Sequence, residues 1–219
     1  MTAWTWPNIT DRPVNWLNAQ LRRLPVWALY AAGGAWPAIL LYMGATGGLG
    51  VEPITALEHE LGKSALNLLV FGLAITPLRR FFGLNLMRFR RAIGVIAFAY
   101  VGFHLLVWLV LDVQSPALIW ADIVKRPYVT VGMAGFLLLS PLAATSNNWS
   151  VRRLGAAAWR RLHRLVYPAV LVAALHFMIL VKGFPVEPLI YLAVIVVLLL
   201  LRLDRRAVAW RAGGLPRPR

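Results

Sequence analysis

The chain has 219 residues, of which 60% are hydrophobic and only 14% are charged, and its mean hydropathy is +0.67. Soluble domains are usually about half apolar, with about a quarter of their residues charged, so this composition favours a protein embedded in lipid. The length fits one domain. The absence of cysteine excludes disulfides, iron–sulfur clusters and thiolate metal sites. Any metal chemistry must therefore use histidine, methionine or carboxylate ligands.

The formal net charge of +15 is the second feature of the composition. Such a charge can indicate nucleic-acid binding. Here, however, the basic residues cluster at the ends of apolar runs, which is the pattern that orients membrane proteins. We therefore expect a lipid bilayer as the partner, and no nucleic acid.

Six apolar runs approach the ~20 residues that a helix needs to cross the ~30 Å hydrocarbon core. They predict an all-α, six-helix integral membrane bundle with spans at 24–44, 61–78, 92–111, 128–145, 165–181 and 188–203. The first run is expected to be a retained helix and not a signal peptide, because a long polar region precedes it. The chain then divides into a cytoplasmic N-terminal segment 1–23, a transmembrane domain 24–203 and a basic cytoplasmic tail 204–219.

The positions of the basic residues predict the orientation of this bundle. With the N-terminus in the cytoplasm, six alternating helices place all but four of the 23 basic residues on the cytoplasmic side. The four on the outer side are Lys63, Lys125, Arg126 and Lys182, which lie there with most of the acidic residues. The positive-inside rule therefore predicts that both termini are cytoplasmic.

Two of the four histidines lie at the same depth in the predicted bundle. His104 lies about twelve residues from the start of the third run, and His176 lies about as far from the start of the fifth. Because both runs cross the membrane in the same direction, both histidines are expected ~18 Å from the cytoplasmic end. Ionisable side chains inside a membrane are costly and usually functional, and imidazole is a common ligand of heme iron. We therefore predict that they clamp one heme, with the small Ala169 and Ala173 leaving room beside His176. The alternative is that each imidazole only hydrogen-bonds a neighbouring helix.

His163 lies at the cytoplasmic end of the fifth run, 13 residues before His176 in the sequence. This separation is a rise of ~20 Å, so the two residues cannot hold the same heme. His163 is a candidate ligand of a second, inner heme, with Pro168 bending the helix between them. The matching level of the third run holds Arg90 and Arg91 instead of a histidine. The alternative is an interfacial histidine among arginines.

Two further groups of residues allow more than one interpretation. His59, between two glutamates at the outer start of the second run, is typical of a solvated interfacial residue, and a quinone site or a partner interface is the alternative. The arginine cluster of Arg160, Arg161 and Arg164 is an orientation signal that could also bind heme propionates or a flavin phosphate. No hydrolase constellation is apparent, and no glycine-rich nucleotide-binding loop follows a predicted strand.

Five sequence motifs occur in an order and spacing that point to a known family. They are I-T-P-L-R-R at 75–80, F-R-R-A-I-G at 89–94, R-P-Y-V-T-V-G at 126–132, T-S at 145–146, and L-G-A-A-A-W-R-R-L-H-R-L-V-Y at 154–167, followed by His176. Over roughly residues 20–203 the chain resembles the heme-binding membrane subunits of bacterial protein-methionine-sulfoxide reductase systems, which belong to the ferric reductase-like transmembrane family.

The resemblance implies a six-helix bacterial inner-membrane subunit that carries heme b and also FMN. It implies that electrons arrive from a cytoplasmic flavin reductase or the quinone pool. They leave to a periplasmic molybdopterin-containing catalytic subunit, which reduces methionine sulfoxide in oxidised envelope proteins. By the same resemblance, His104 and His176 are the axial ligands of the outer heme and His163 is an inner ligand. The FMN expectation depends on the resemblance alone.

This electron-transfer subunit would carry no substrate chemistry of its own, and two other functions compete with it. One is a self-sufficient ferric or quinone reductase. The missing nicotinamide-binding domain speaks against direct use of NADPH, but not against quinol oxidation. The other is a transporter or assembly scaffold without redox activity.

Overall fold

The computed structural model describes residues 11–181 and 186–212, with side chains placed for 13–181 and 186–202. The regular elements in these ranges are helical. The α-helices are α1 (Asp11–Arg23), α2 (Val26–Ala45), α3 (Pro53–Phe82), α4 (Arg90–Val107), α5 (Pro116–Lys125), α6 (Pro127–Ala144), α7 (Asn148–Leu154), α8 (Ala156–Leu162), α9 (Val166–Leu180) and α10 (Val186–Ala212). Two 3₁₀ turns, Met87–Phe89 and His163–Leu165, precede α4 and α9, and a π turn, Trp108–Val113, continues α4.

Five helical segments of the described ranges are long and apolar enough to cross a membrane. They are Val26–Ala45, Pro53–Phe82, Met87–Val113, Pro127–Ala144 and Ala156–Leu180, and they correspond to the first five predicted spans. The prediction of an all-α membrane protein is confirmed. The sixth predicted span, 188–203, lies within α10, and its crossing stays a prediction. Lys182, residues 1–10 and residues 213–219, which the sequence assigned to an outer loop and to the two termini, lie outside the described residues.

The second span begins earlier than the sequence predicted. Hydropathy places its start at residue 61, whereas α3 starts at Pro53. It ends at Phe82 and is capped by Gly83, whose φ of 70° is the left-handed conformation that terminates helices. Proline suits a first helical position because its missing N–H has no helical partner there. Hydropathy marks only the part of a helix inside the hydrocarbon, and α3 continues past it. As a result His59, predicted at the start of the helix, lies within its second turn.

The predicted N-terminal segment contains a helix that the apolar pattern did not reveal. α1 is strongly amphipathic and lies against the loop between α3 and α4. Asn18 holds this loop from both sides, since its Nδ2 donates to the Gly83 carbonyl (3.0 Å) and its Oδ1 accepts from the Asn85 amide (2.9 Å). Arg88 donates to the Arg22 carbonyl at 2.6 Å. The short helices α5, α7 and α8 were not predicted either, because none is long enough to produce a hydropathy signal.

Two helix pairs form the centre of the bundle, since α3 packs along α4 and α6 packs along α9. Between the pairs lies one apolar core: Leu66, Leu69, Leu73, Ala97, Leu139, Leu142, Ala169, Val170, Ala174 and Ile195. Its alanines allow close approach of the helices, as is common in membranes. The stacked rings of Phe98 and Phe136, with centroids 5.6 Å apart, join α4 to α6. The core ends at a cavity between the same two pairs.

Candidate functional site

His104 on α4 and His176 on α9 face each other between the two helix pairs. Their ring centroids are 6.2 Å apart and the ring planes cross at 75°. The two residues therefore share one level of the bundle. This agrees with the prediction from residue count, because each lies a similar number of residues along helices that run in the same direction. The structure brings these two of the three predicted site residues together.

Each imidazole is held by a backbone carbonyl of the other helix in its pair. Nδ1 of His104 lies 2.9 Å from the carbonyl oxygen of Glu58 on α3, and Nδ1 of His176 lies 2.7 Å from that of Tyr128 on α6. A carbonyl oxygen can only accept, so Nδ1 carries the proton in both rings and donates it. The lone pair of each neutral ring is therefore on Nε2, the nitrogen available to a metal. Histidine ligands of metals are usually oriented by such a second hydrogen bond.

A cavity of about 720 Å³ surrounds the two rings, which is within the range of ligand pockets, about 300 to 1,000 Å³. Its inner wall is apolar and comes from all four helices of the two pairs: Ala65, Leu66, Leu69, Val101, Leu105, Val129, Met133, Phe136, Leu139, Ala173 and Phe177. Of the two alanines predicted to leave room, Ala173 lines the cavity, whereas Ala169 lies buried in the core beneath it. The expectation for Ala169 was therefore wrong, because core side chains cover that turn of α9.

The mouth of the cavity is polar and carries charges of both signs. Glu58, His59, Glu60, Lys63, Asp112, Arg126 and Glu187 line it. Lys63 forms an ion pair with Glu187. The sequence predicted these carboxylates to lie on the outer side, and the structure gathers them around one opening. His59 is exposed at this rim, in keeping with a solvated position, and its possible role at a quinone site or a partner interface stays untested.

Arg126 is a site residue that the sequence did not identify. Its Nε lies 3.2 Å from Asp122, and its Nη1 donates to the Tyr128 hydroxyl at 3.2 Å. That hydrogen bond, with the nearby carboxylates, raises the pKa of Arg126, which therefore stays charged. A signal was present in the sequence, because Arg126 and Lys63 are two of the four basic residues that the sequence assigns to the predicted outer side, where the positive-inside rule disfavours them.

His163 lies apart from the facing pair, in the 3₁₀ turn before α9. Its ring stacks on Trp159 with centroids 3.8 Å apart, and its Nε2 lies 3.1 Å from Oγ1 of Thr145. The Thr145 hydroxyl donates to the Pro141 carbonyl at 2.6 Å, so it accepts from Nε2–H of His163. The proton of His163 is therefore on the nitrogen opposite to that in His104 and His176. Its role as an inner ligand stays a prediction.

Comparison with known proteins identifies the family. Residues 61–174 match the family described as the ferric reductase like transmembrane component, a segment that includes His104 and ends just before His176. The chain is also 45% identical over 212 residues to a protein of Brucella ovis named protein-methionine-sulfoxide reductase heme-binding subunit MsrQ, covering 96% of this chain and 91% of the relative. The chain belongs to the MsrQ family. Relatives of the same name from Brucella abortus and Brucella suis match with the same identity and coverage.

Membership of the MsrQ family confirms the resemblance that the five motifs indicated. The match to the transmembrane component also agrees with the apolar helices of the structure. No solved structure matches the chain. The geometry of the facing histidines therefore comes from this structure itself.

Proposed function

We propose that the chain is a heme b-binding electron-transfer subunit of a methionine-sulfoxide reductase system, without substrate chemistry of its own. The observation that carries this proposal is the pair of imidazoles, His104 and His176, which face each other at 6.2 Å with both Nδ1 atoms bound to carbonyls. The names of the MsrQ relatives, which call them heme-binding subunits, support it independently.

The spacing of the two rings fits one metal ion between them. A metal–imidazole bond is about 2 Å long and the bonding nitrogen lies about 1 Å from the ring centroid, so two imidazoles on opposite sides of an ion have centroids about 6 Å apart. The observed distance is 6.2 Å. In the part of the chain that the structure describes, no group of three or more His, Asp or Glu side chains could hold a bare ion. Two opposed ligands suit an iron whose other positions are filled by a porphyrin.

The residues around the pair would bind and tune the cofactor. His104 and His176 would hold the heme iron through Nε2, and the carbonyls of Glu58 and Tyr128 would increase their basicity through Nδ1–H. Leu69, Phe136 and the other apolar wall residues would give the cofactor an apolar surround. Heme supplies a one-electron couple, whose potential follows from ligation, hydrogen bonding and burial.

The cations at the cavity mouth would face the acidic groups of the cofactor. Arg126 and Lys63 line the opening, and arginine in particular matches carboxylates well. Both are partly neutralised by Asp122 and Glu187 in this structure. A heme carboxylate would therefore compete with these side chains for the two cations.

We also propose His163 as the ligand of a second, inner heme, as the family resemblance implies. To bind iron, Nε2 of His163 would have to lose its proton and its hydrogen bond to Thr145. FMN is a further proposed cofactor that rests on the resemblance alone. The Arg160, Arg161 and Arg164 cluster carries the positive charge that a flavin phosphate would need.

The proposed place of the subunit is the bacterial inner membrane, with both termini in the cytoplasm and the heme domain at 24–203. In this orientation the facing histidines would lie nearer the outer face of the membrane than the inner one, so an electron there would be close to a periplasmic partner. The proposed donors are a cytoplasmic flavin reductase or the quinone pool, and the proposed acceptor is a molybdopterin-containing methionine sulfoxide reductase. Sulfoxide formation makes an apolar side chain polar and damages protein cores. Repair outside the cytoplasm needs reducing equivalents delivered across the bilayer.

A quantitative heme assay with a reduced-minus-oxidised spectrum of the detergent-purified chain tests this function. We expect a b-type spectrum that a flavin reductase can reduce and that the catalytic subunit with methionine sulfoxide can reoxidise. A chain without a Soret band would contradict the proposal and favour a transporter or scaffold. Reduction of iron chelates by the chain alone would favour a self-sufficient reductase.

A further inference from the structure

The two histidines are held by the same local arrangement on two different helices. On α3 the carbonyl that accepts from His104 belongs to Glu58, and Gly62 follows four residues later. On α6 the carbonyl that accepts from His176 belongs to Tyr128, and Gly132 again follows four residues later. Each imidazole therefore contacts a carbonyl–glycine pair with the same spacing.

The glycines lie directly beneath the imidazole rings. A Cβ atom added to Gly62 would lie 3.2 Å from Nδ1 of His104, and one added to Gly132 would lie 3.0 Å from Nδ1 of His176. These distances are shorter than an ordinary van der Waals contact. Both neighbours are ring atoms whose position is already set by a hydrogen bond, so they cannot move aside without lengthening it.

The spacing of four residues has a physical reason. In an α-helix each Cα–Cβ bond tilts toward the N-terminus, so a side chain covers the turn before its own Cα. The side chain at position i+4 therefore covers the carbonyl at position i. That carbonyl already accepts the helical N–H of residue i+4, and the absence of a side chain at position i+4 leaves room for a second donor. Glycine is the residue that leaves the carbonyl open to an imidazole.

We propose that Gly62 and Gly132 are positioning residues that set the tautomer and the rotation of the two heme ligands. This inference rests on the proposed function, because it assumes that His104 and His176 bind the iron. By leaving the Glu58 and Tyr128 carbonyls open, the glycines let each Nδ1–H donate to them, which leaves the lone pair of each ring on Nε2. They also keep the ring planes at their crossing angle of 75°. A methyl group at either position would displace the ring it contacts by a few tenths of an ångström and lengthen that ring's hydrogen bond to its carbonyl.

The test compares Gly62→Ala and Gly132→Ala with two matched controls, Gly72→Ala on α3 and Gly102→Ala on α4. A Cβ at Gly72 meets only Ile93 at 3.9 Å, and one at Gly102 has no atom within 4 Å. Heme content, the redox midpoint and the electron paramagnetic resonance spectrum of the oxidised protein are measured. The spectrum responds to the angle between the axial imidazole planes, which a purely structural role would not alter. Circular dichroism and gel filtration report whether each variant folds.

We expect the Gly62 and Gly132 variants to fold, to retain heme about 10- to 100-fold less tightly, as is typical when an outer partner of a metal ligand is disturbed, and to shift the resonance spectrum. The two controls should match the wild type. Wild-type heme retention and spectra in both variants would overturn the proposal, as would loss of fold in both. Because the glycines lie on different helices, either variant alone can decide the question if the other fails to fold. A wild-type chain that binds no heme would instead refute the proposed function.

Discussion

The imidazoles of His104 and His176 face each other with centroids 6.2 Å apart although each is anchored to a different helix pair. His104 is oriented from α3 and His176 from α6, so the site exists only where the α3–α4 pair meets the α6–α9 pair. Packing between the pairs thus sets the distance between the two rings. The apolar core between the pairs, which includes Leu69, Leu139 and Ala174, supplies that packing.

Replacing either facing histidine should remove the cofactor. His104→Ala or His176→Ala deletes one of two opposed ligands, so we expect heme content to fall by about tenfold or more, in line with the effect of disturbing metal ligation. His59→Ala is the control, because His59 lies exposed at the rim of the same cavity. The measurement is the Soret absorbance per purified chain. Equal heme content in all three variants would refute the ligand assignment.

His163→Ala should spare the heme between His104 and His176. His163 is held by Thr145 and Trp159 and does not line their cavity. We expect partial heme loss, because the proposed inner heme loses its ligand, and unchanged heme content would contradict that role. Thr145→Val, which removes the hydrogen bond but keeps the imidazole, serves as the comparison. Complete loss of heme in folded His163→Ala would show that the facing pair is insufficient.

Arg126→Ala should weaken heme retention without abolishing it. The guanidinium lines the cavity mouth and stays charged, so its removal takes away a cation that would face an anionic group of the cofactor. The neighbouring Lys125→Ala removes the same charge from a side chain that is not part of the cavity lining. The rate of heme transfer from each variant to apomyoglobin measures how tightly the heme is held. Equal rates in the two variants would exclude a cofactor role for Arg126.

Asn18→Ala should loosen α1 from the loop between α3 and α4. Asn18 supplies one donor and one acceptor to this loop, and one such hydrogen bond contributes about 1 kcal/mol. We expect faster hydrogen exchange at the Asn85 amide, which loses its acceptor. Asn15→Ala, an exposed position on the same helix, should leave that amide unchanged. Unaltered exchange at Asn85 in the Asn18 variant would contradict this contact.

Reporter fusions test the predicted orientation. Alkaline phosphatase, which is active only outside the cytoplasm, should be active when fused in the loop at 46–50 between α2 and α3. It should be inactive at 83–86, between α3 and α4, because the basic residues around that loop disfavour export. The opposite pattern would invert the bundle. It would then place the facing histidines near the cytoplasm.

The level of the two histidines was predictable because depth along a helix follows from residue count and a constant rise. The fold class and the proposed orientation likewise depend only on where apolar and basic residues lie along the chain. The sequence of α3 also contained Glu58 and Gly62, but nothing in its pattern indicated that a backbone carbonyl there would bind His104. Rotation about each helix axis is set by packing against neighbours, which hydropathy does not encode.

Tertiary structure alone therefore decided which carbonyls hold the imidazoles, that Ala169 packs into the core while Ala173 lines the cavity, and that Arg126 joins the site. It also gave His163 its partner, Thr145, which caps the C-terminus of α6. The apolar and charged residues determine which segments enter lipid, because each residue contributes its own free energy of transfer from water to the bilayer. Contacts between distant segments depend on how the helices pack together. The hydrogen bonds and the lining of the site are such contacts.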